Sequence, residues 1–143
     1  MESEIKEITS GERLKLMFPG DILQLTGLTI TAVPAYNKLK PFHPKHNKWL
    51  GYVLEMDGIR YYIAGDTDAV KELHDVKCDV AMVPIRGTYT MNARDAAGLI
   101  NEIRPAAVIP THYGSIVGNP GDVEAFSKWV DSDISVLLKL GVI

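Results

Sequence analysis

The chain has 143 residues, of which 46% are hydrophobic and 23% are charged, a composition typical of one soluble globular domain. The formal net charge of −3, the pI near 5.8 and the lack of a basic run disfavour a nucleic-acid partner, because phosphate binding needs clustered cations. The acidic N-terminus does not resemble a signal peptide, and no apolar stretch approaches the roughly 20 residues that span a bilayer. We therefore predict one cytoplasmic domain over residues 1–143 without a membrane partner, in which residues 1–12 are weakly helical and peripheral.

The first half of the chain is predicted to form antiparallel strands. In chain order the predicted segments are a turn at 19–21, strands at 22–25 and 28–33, a loop at 36–49, and a hairpin of strands 50–56 and 59–64. The strands are rich in β-branched or aromatic residues, whereas the loop has no apolar periodicity. The hairpin is joined by Asp57-Gly58, the two-residue loop that suits a type I′ turn.

The second half is predicted to alternate helices and strands. The predicted segments are a short helix at 69–74, a buried strand at 80–83, a helix at 92–103, a buried strand at 106–109, a helix at 123–130 and a last strand at 134–138. The apolar residues of the second helix recur at helical spacing until Pro105, and Asp122 is the predicted N-cap of the third. Cys78, the single cysteine, is predicted to be a small buried thiol. The order of elements favours a layered α/β (α+β) architecture with a mixed sheet.

Two of the predicted strands are each followed by a side chain that could bind a metal ion. Asp66 comes after the strand that ends at Ala64, and His112 comes shortly after the strand at 106–109. Ligands gather at the carboxyl ends of strands in α/β proteins, and Zn²⁺ accepts carboxylate oxygen together with imidazole nitrogen. The spacing alone leaves a structural alternative open, in which Asp66 caps a helix or turn and His112 is a surface or packed residue.

Four segments, in the expected order, resemble motifs of the metallo-β-lactamase-fold hydrolases. The sequence IAGDTD (63–68) resembles the family's GDT segment, whose aspartate bridges two metal ions, and VIPTHYG (108–114) resembles the strand before the last histidine ligand. The sequence VPIRGTYTM (83–91) resembles the PIGGTYTM segment of the UlaG-like branch of metal-dependent hydrolases, and VPAYN with FHPK (33–45) fits the same branch. The resemblance covers roughly residues 20–138.

The resemblance implies a mixed sheet with helices on one face, like the C-terminal half of the family's αββα sandwich. It also implies that Asp66 and His112 are catalytic metal ligands, for Zn²⁺ or for Mn²⁺ or Fe²⁺ in its place. The family's H-x-H-x-D-H cluster is absent from the sequence, and Asn37 stands at or beside the position of another family histidine. His43 could replace that histidine in space. A catalytic zinc ion needs three protein ligands and an open position, so this ligand set leaves open whether the chain holds a metal at all.

Residues near these ligands carry secondary predictions. Asp68 and Asn37 are predicted either to orient a ligand or to contact the substrate. Tyr89 and Tyr113 would either donate hydrogen bonds into a pocket or pack with their hydroxyls at the surface. Lys45 would either meet an anionic group of the substrate or remain in solvent.

Three functional hypotheses follow from the resemblance. The first is a metal-dependent hydrolase of an unknown small molecule, whose histidine cluster is supplied by the rest of a longer gene product or by a separate chain. Half of a sandwich exposes the inner face of its sheet, which predicts either a homodimer or a complementary N-terminal-half chain as partner. The second is a non-catalytic metal-binding or interaction module, and the third is a dimer whose site is rebuilt from two chains. As a single chain, the protein is predicted to be weak or inactive as an enzyme.

Overall fold

Seven strands form one sheet within residues 15–113 and 120–138, the parts of the chain that the computed structural model describes. In sheet order they are β1 (Ile22–Leu25), β2 (Leu28–Pro34), β3 (Leu50–Met56), β4 (Ile59–Ile63), β5 (Val80–Pro84), β6 (Ala107–Thr111) and β7 (Ser135–Val136). The order across the sheet is therefore the order along the chain. The predicted weakly helical segment 1–12 lies outside the described residues.

The sheet is mixed, as predicted. Strands β1 to β4 pair antiparallel, and strands β4 to β7 pair parallel. The predicted hairpin of β3 and β4 is confirmed, and β1 and β2 form another. In the β3–β4 hairpin, Asp57 has φ 51° and Gly58 has φ 77°, the positive values that a type I′ turn requires at both positions.

Two α-helices, α1 (Ala93–Ile103) and α2 (Pro120–Trp129), lie in the described residues. The first begins after Asn92, whose side chain accepts a hydrogen bond from the Asp95 N–H at 2.8 Å and so satisfies a donor of the first turn. No helix of the described ranges combines the length and the apolar character that crossing a bilayer requires. Cys78 is buried, as predicted, and this burial raises the pKa of its thiol to about 11.

Several predicted boundaries were wrong where the signal was short. The predicted helix at 69–74 is a single 3₁₀ turn at Lys71–Leu73, and the predicted last strand at 134–138 is reduced to β7, which pairs only with β6. The last helix begins at Pro120, a residue suited to a first helical turn, so Asp122 lies in that turn and is not the N-cap. Strand β6 continues to Thr111, so His112 follows the strand directly.

The two faces of the sheet differ in their cover. On one face the helices and the 3₁₀ turn form the core, in which Tyr62, Ala81 and Val108 have no exposed surface. The other face, here called the open face, carries two apolar cross-strand rows: Ile30, Leu54, Tyr61, Val80 and Ala107, and Ala32, Tyr52, Ile63, Met82 and Ile109. Apart from Ala32 these side chains are partly or fully exposed, Ile63 to 38%. The helices thus lie on one face, as predicted, and no described element covers the other.

Candidate metal centre

One edge of the sheet collects the side chains that the sequence singled out as metal ligands. Strands β2 and β4 both run antiparallel to β3, and β5 and β6 run parallel to β4. The carboxyl ends of β2, β4, β5 and β6 therefore lie at one edge. Asp66 follows β4, His112 follows β6, and the loop after β2 carries His43.

Asp66 faces a histidine with each of its carboxylate oxygens. Asp66 Oδ2 lies 3.5 Å from His43 Nε2, and Asp66 Oδ1 lies 3.5 Å from His112 Nε2. The side chains of Asp66 and His112 are 44% and 47% exposed, whereas that of His43 is only 17% exposed. The cluster is therefore anchored in the protein on the His43 side and open to solvent on the His112 side.

The backbone of His112 adopts a conformation that is uncommon for a residue with a side chain. Its φ is 56°, in the left-handed region. The preceding residue, Thr111, is fixed by its pairing with Pro84 and by the hydrogen bond of its carbonyl with the Ile85 N–H at 3.1 Å. Backbone strain of this kind persists where the surrounding structure fixes it, often at functional sites. Here it turns the chain out of β6 and brings the imidazole beside Asp66.

Asn37 holds His43 in one orientation. The residue is 5% exposed, and its Nδ2 donates to Asp68 Oδ1 at 3.2 Å and to the Tyr89 carbonyl at 2.9 Å. These two acceptors fix the amide nitrogen, so Oδ1 accepts from the His43 N–H and faces His43 Nδ1, both at 3.1 Å. Nδ1 is therefore the ring atom that donates to Asn37, and Nε2 is directed towards Asp66.

Asp68 holds Asn37 in turn. It is 8% exposed, and besides Asn37 it accepts hydrogen bonds from the Lys38 N–H at 2.9 Å and from Lys40 Nζ at 2.8 Å. Lys40 Nζ also donates to the Thr90 carbonyl at 2.5 Å. The buried carboxylate is thus neutralised and fully hydrogen-bonded, and it reaches His43 only through Asn37.

The donor set fits a divalent metal ion on either side of Asp66. Asp66 Oδ2 and, when it is unprotonated, His43 Nε2 are both atoms that can bind a metal cation. Ligands about 2.1 Å from a tetrahedral zinc ion lie about 3.4 Å from each other, and both nitrogen–oxygen distances here are 3.5 Å. Within residues 15–113 and 120–138, however, no group of three His, Cys, Asp or Glu side chains is arranged to hold one ion. The described residues offer two ligand pairs that share Asp66, and each pair needs further ligands.

Lys45 is engaged by a carboxylate. Its Nζ lies 2.6 Å from Glu72 Oε1 and 4.9 Å from the centre of the Tyr36 ring. The Tyr36 hydroxyl donates to the other oxygen of Glu72 at 2.9 Å. The hydrogen bond from Lys45 is the main cause that lowers the pKa of Glu72 to about 2, so the pair is ionised at neutral pH.

The two predicted tyrosines lie next to candidate ligands. The Tyr89 ring packs edge-on against Phe42 at 4.6 Å, and the Tyr89 carbonyl accepts the hydrogen bond from Asn37. Tyr113 is 9% exposed and directly follows His112. Two further residues were missed as parts of the site. The Trp49 ring packs edge-on against His43 at 4.9 Å, and Lys40 neutralises Asp68 from 28 positions away, a distance at which no local pattern marks the pair.

Two grooves of the described surface lie beside the ligand cluster and not over it. One, of about 590 Å³, has Tyr36, Lys45 and Trp49 in its wall, and a second, of about 570 Å³, has Lys40 and Asp68. None of the three candidate ligands lines either groove. The cluster therefore occupies an open edge of the sheet, next to two grooves that a substrate could extend into.

Comparison with known sequences points to one family. The family model described as the beta-lactamase superfamily domain matches residues 2–112. A protein named metal-dependent hydrolase from Thermococcus onnurineus is 32% identical over 120 residues, which make up 80% of this chain and 54% of that protein. One from Koribacter versatilis is 38% identical over 89 residues, 57% of this chain and 38% of that protein. The chain spans about half the length of the curated relatives that it matches over most of its own length.

Comparison with solved structures gives the same fold. A crystal structure assigned as a metal-dependent hydrolase from Parabacteroides distasonis is 34% identical with a TM-score of 0.80, over 97% of this chain and 62% of that chain. A metallo hydrolase from Ignicoccus hospitalis has a TM-score of 0.73 at 24% identity, over 96% and 61% of the two chains, and shares the fold. The mixed sheet with helices on one face therefore has the metallo-β-lactamase fold.

Proposed function

This chain belongs to the family described as the beta-lactamase superfamily domain, and we propose on that basis that it supplies part of the metal centre of a hydrolase. The observation that carries the proposal is the position of Asp66 between His43 and His112, with one carboxylate oxygen 3.5 Å from each imidazole. A carboxylate with one oxygen directed to each of two imidazoles suits a ligand shared by two metal ions. Zinc is the first candidate, with manganese or iron in its place.

The proposed roles follow from the hydrogen bonds of the centre. His43, Asp66 and His112 are the ligands, and Asn37 orients the His43 ring through Nδ1 so that Nε2 is available to a metal. Asp68 keeps Asn37 in place. A divalent metal supplies Lewis acidity, which acidifies water and polarises the carbonyl or phosphoryl group under attack. This chain's own residues then orient the ligands and leave the Asp66 and His112 side accessible to substrate.

We extend the proposal to the open face, which would pack against a second sheet that brings the remaining ligands. The two apolar rows of this face run from β2 to β6 without cover from any described element, and exposed apolar patches of soluble proteins usually mark interfaces. Packed sheets lie about 10 Å apart, which would bring the ligands of a second sheet to the same edge. The second sheet would belong to a complementary half, or to another copy of this chain.

The metal proposal is tested by metal content per chain after purification and dialysis against zinc, measured by plasma mass spectrometry. We expect bound zinc in the parent protein and at least a tenfold loss of affinity in Asp66→Asn and His112→Ala, since each removes a ligand. His46→Ala is the matched control, because His46 is an exposed histidine of the loop that carries His43. Equal metal content in all four proteins would refute the assignment of the ligands.

The partner proposal is tested by sedimentation velocity. Ile63→Lys places a charge in the centre of an apolar row of the open face, and we expect it to shift an associated species to monomer. Leu39→Lys is the control, because Leu39 is 98% exposed in a loop outside the face. A parent protein that stays monomeric at high concentration and binds no complementary half would refute this part.

A second function, a metal-binding module without turnover, is favoured by one observation. Neither ligand pair reaches three protein ligands within the described residues. Zinc uptake with no hydrolysis of esters, amides or phosphodiesters, even when the partner is present, would support this alternative over the hydrolase.

A further inference from the structure

Arg86 lies at the same edge of the sheet as the candidate ligands. It follows β5, the strand between β4, which precedes Asp66, and β6, which precedes His112. The neighbouring Ile85 N–H donates to the Thr111 carbonyl at 3.1 Å, which fixes the loop beside the turn into His112. The chain order of the sheet therefore places this cation between the two arms of the proposed centre.

The Arg86 side chain is held by the aromatic residues that brace the His43 side. Arg86 Cζ lies 4.8 Å from the centre of the Tyr89 ring, an attractive cation–π distance. The Tyr89 ring packs against Phe42, the residue before His43, and the Tyr89 carbonyl accepts from Asn37. The guanidinium is thus part of the same packed unit as the ligand loop.

Arg86 lacks the partner that a half-buried arginine normally has. Within residues 15–113 and 120–138, the ion pairs of lysine and arginine engage Lys40, Lys45, Arg60 and Arg104. The Nε of Arg86 is buried and has no hydrogen-bond acceptor. Buried donors are nearly always satisfied, and a guanidinium matches the oxygens of a carboxylate or phosphate with its parallel N–H groups. An oxygen of a bound anion is one acceptor that would satisfy this donor.

We propose that Arg86 is a specificity-determining residue that binds an anionic group of the substrate, a carboxylate or a phosphate. The proposal rests on the proposed function, since the substrate is the molecule cleaved at the adjacent metal centre. Lys45, the cation that the sequence suggested for this role, is paired with Glu72 and is less suited to it. The guanidinium of Arg86 takes part in none of the ion pairs among the described residues, and a rigid fork of donors discriminates anions better than a flexible ammonium.

The test uses the metal-free protein, so that added anions cannot bind to a metal. The full chain is treated with a chelator, and its unfolding temperature is measured at low ionic strength against increasing inorganic phosphate or acetate. We expect at least one of these anions to raise the unfolding temperature of the parent, and Arg86→Gln to bind it at least tenfold more weakly. Arg94→Gln is the matched control, because Arg94 is exposed on α1 and its replacement changes the net charge equally.

The pattern of responses decides the proposal and its chemical class. A response to phosphate alone indicates a phosphate-bearing substrate, and a response to acetate alone indicates a carboxylate. No response of the parent to either anion, or equal losses in Arg86→Gln and Arg94→Gln, would overturn the proposal. If the anion binds as expected but the zinc-uptake test fails, the anion site stands and the hydrolase proposal falls. If zinc is taken up as expected but neither anion binds, the hydrolase proposal stands and only the anion site is refuted.

A second variant separates binding from a structural role. Arg86→Met keeps an unbranched side chain of similar length but removes the unsatisfied donor. If Arg86 serves ligand binding, the unfolding temperature of this variant without anion should equal or exceed that of the parent, while the response to the anion is lost. A clear fall in unfolding temperature would assign the residue to the stability of the loop and overturn the proposal.

Discussion

Replacement of Asn37 by alanine should weaken both the fold and the proposed metal site. The substitution removes four hydrogen bonds, two donated by Nδ2 and two that involve Oδ1 and His43. Each is worth about 1 kcal/mol net, but Asp68 keeps its bonds to Lys38 and Lys40. We therefore expect a loss of about 2–4 kcal/mol in the free energy of unfolding, or about 8–15 °C in unfolding temperature for a chain of this size.

The same substitution releases the ring of His43. Loss of a group that orients a metal-binding histidine typically lowers metal affinity by about 10–100-fold. Thermal unfolding followed by circular dichroism gives the first quantity, and competition for zinc with a chromophoric chelator gives the second. The two measurements are independent, because affinity is measured on the folded fraction.

The matched control is Asn101→Ala. Asn101 donates to the Trp129 carbonyl at 2.8 Å and accepts from the Asp131 N–H at 2.9 Å, and neither bond involves a candidate ligand. Its replacement should cost about 1–2 kcal/mol and leave zinc affinity unchanged. If Asn37→Ala binds zinc as tightly as this control, Asn37 does not orient a ligand. If it loses less than about 1 kcal/mol, the value assigned to the buried network is wrong.

Further predictions concern single positions. The pKa of Glu72 is lowered to about 2 from an ordinary value of 4.5. The ionised carboxylate therefore contributes its full stability above pH 4.5, and this contribution is lost as the pH falls towards 2. Glu72→Gln should lose this pH-dependent contribution to stability between pH 4.5 and 2. At pH 7 the substitution should cost no more than about 1 kcal/mol, because the pair with Lys45 is exposed. An acid unfolding transition identical to that of the parent would contradict this prediction. Gly51→Ala would place Cβ 2.6 Å and 2.8 Å from two backbone carbonyl oxygens, and should cost about 3 kcal/mol or more in chemical denaturation. Gly98→Ala, with nothing within 4 Å of its Cβ in a helix, should instead gain about 0.5–1 kcal/mol, and equal effects of the two would refute the steric argument. Tyr62→Phe removes a buried hydroxyl without a partner, so the unfolding temperature should hold or rise, and a fall would indicate a bound water.

The strands could be predicted from the sequence because their signals are local. Asp57-Gly58 determines a hairpin by itself, and the β-branched run of β2 marks a strand without reference to the rest of the chain. Strand β7 was predicted too long, since its length depends on how much of β6 it can pair with, and only two residues do. The same limit applies to the 3₁₀ turn at Lys71–Leu73, which is too short for a periodic pattern.

The residues of the candidate site also divide into those with a local sequence signal and those without one. Asp66 and His112 could be singled out because each stands at the end of a recognisable strand, and the sequence resemblance supported both. His43 was named without a reason from spacing, because its position depends on Asn37, which contacts Asp68 31 positions away. Arg86 stands where the PIGGTYTM segment has a glycine, but this difference alone indicated no role. Its unsatisfied Nε became visible only once the neighbouring side chains were placed.

The strictly sequential order of the strands has a consequence for the speed of folding. Every strand of the sheet pairs with the strand before it in the chain. The β1–β2 and β3–β4 pairings close short turns at little cost in chain entropy, whereas the parallel pairings of β4 to β7 cross longer connections. The hairpins should therefore form faster than the parallel pairings, which must first join more distant segments. During synthesis, the β1–β2 hairpin could form as soon as it leaves the ribosome, and each later strand would meet an edge that is already in place. We therefore expect nascent chains to become protease-resistant in steps, one strand at a time from the amino end.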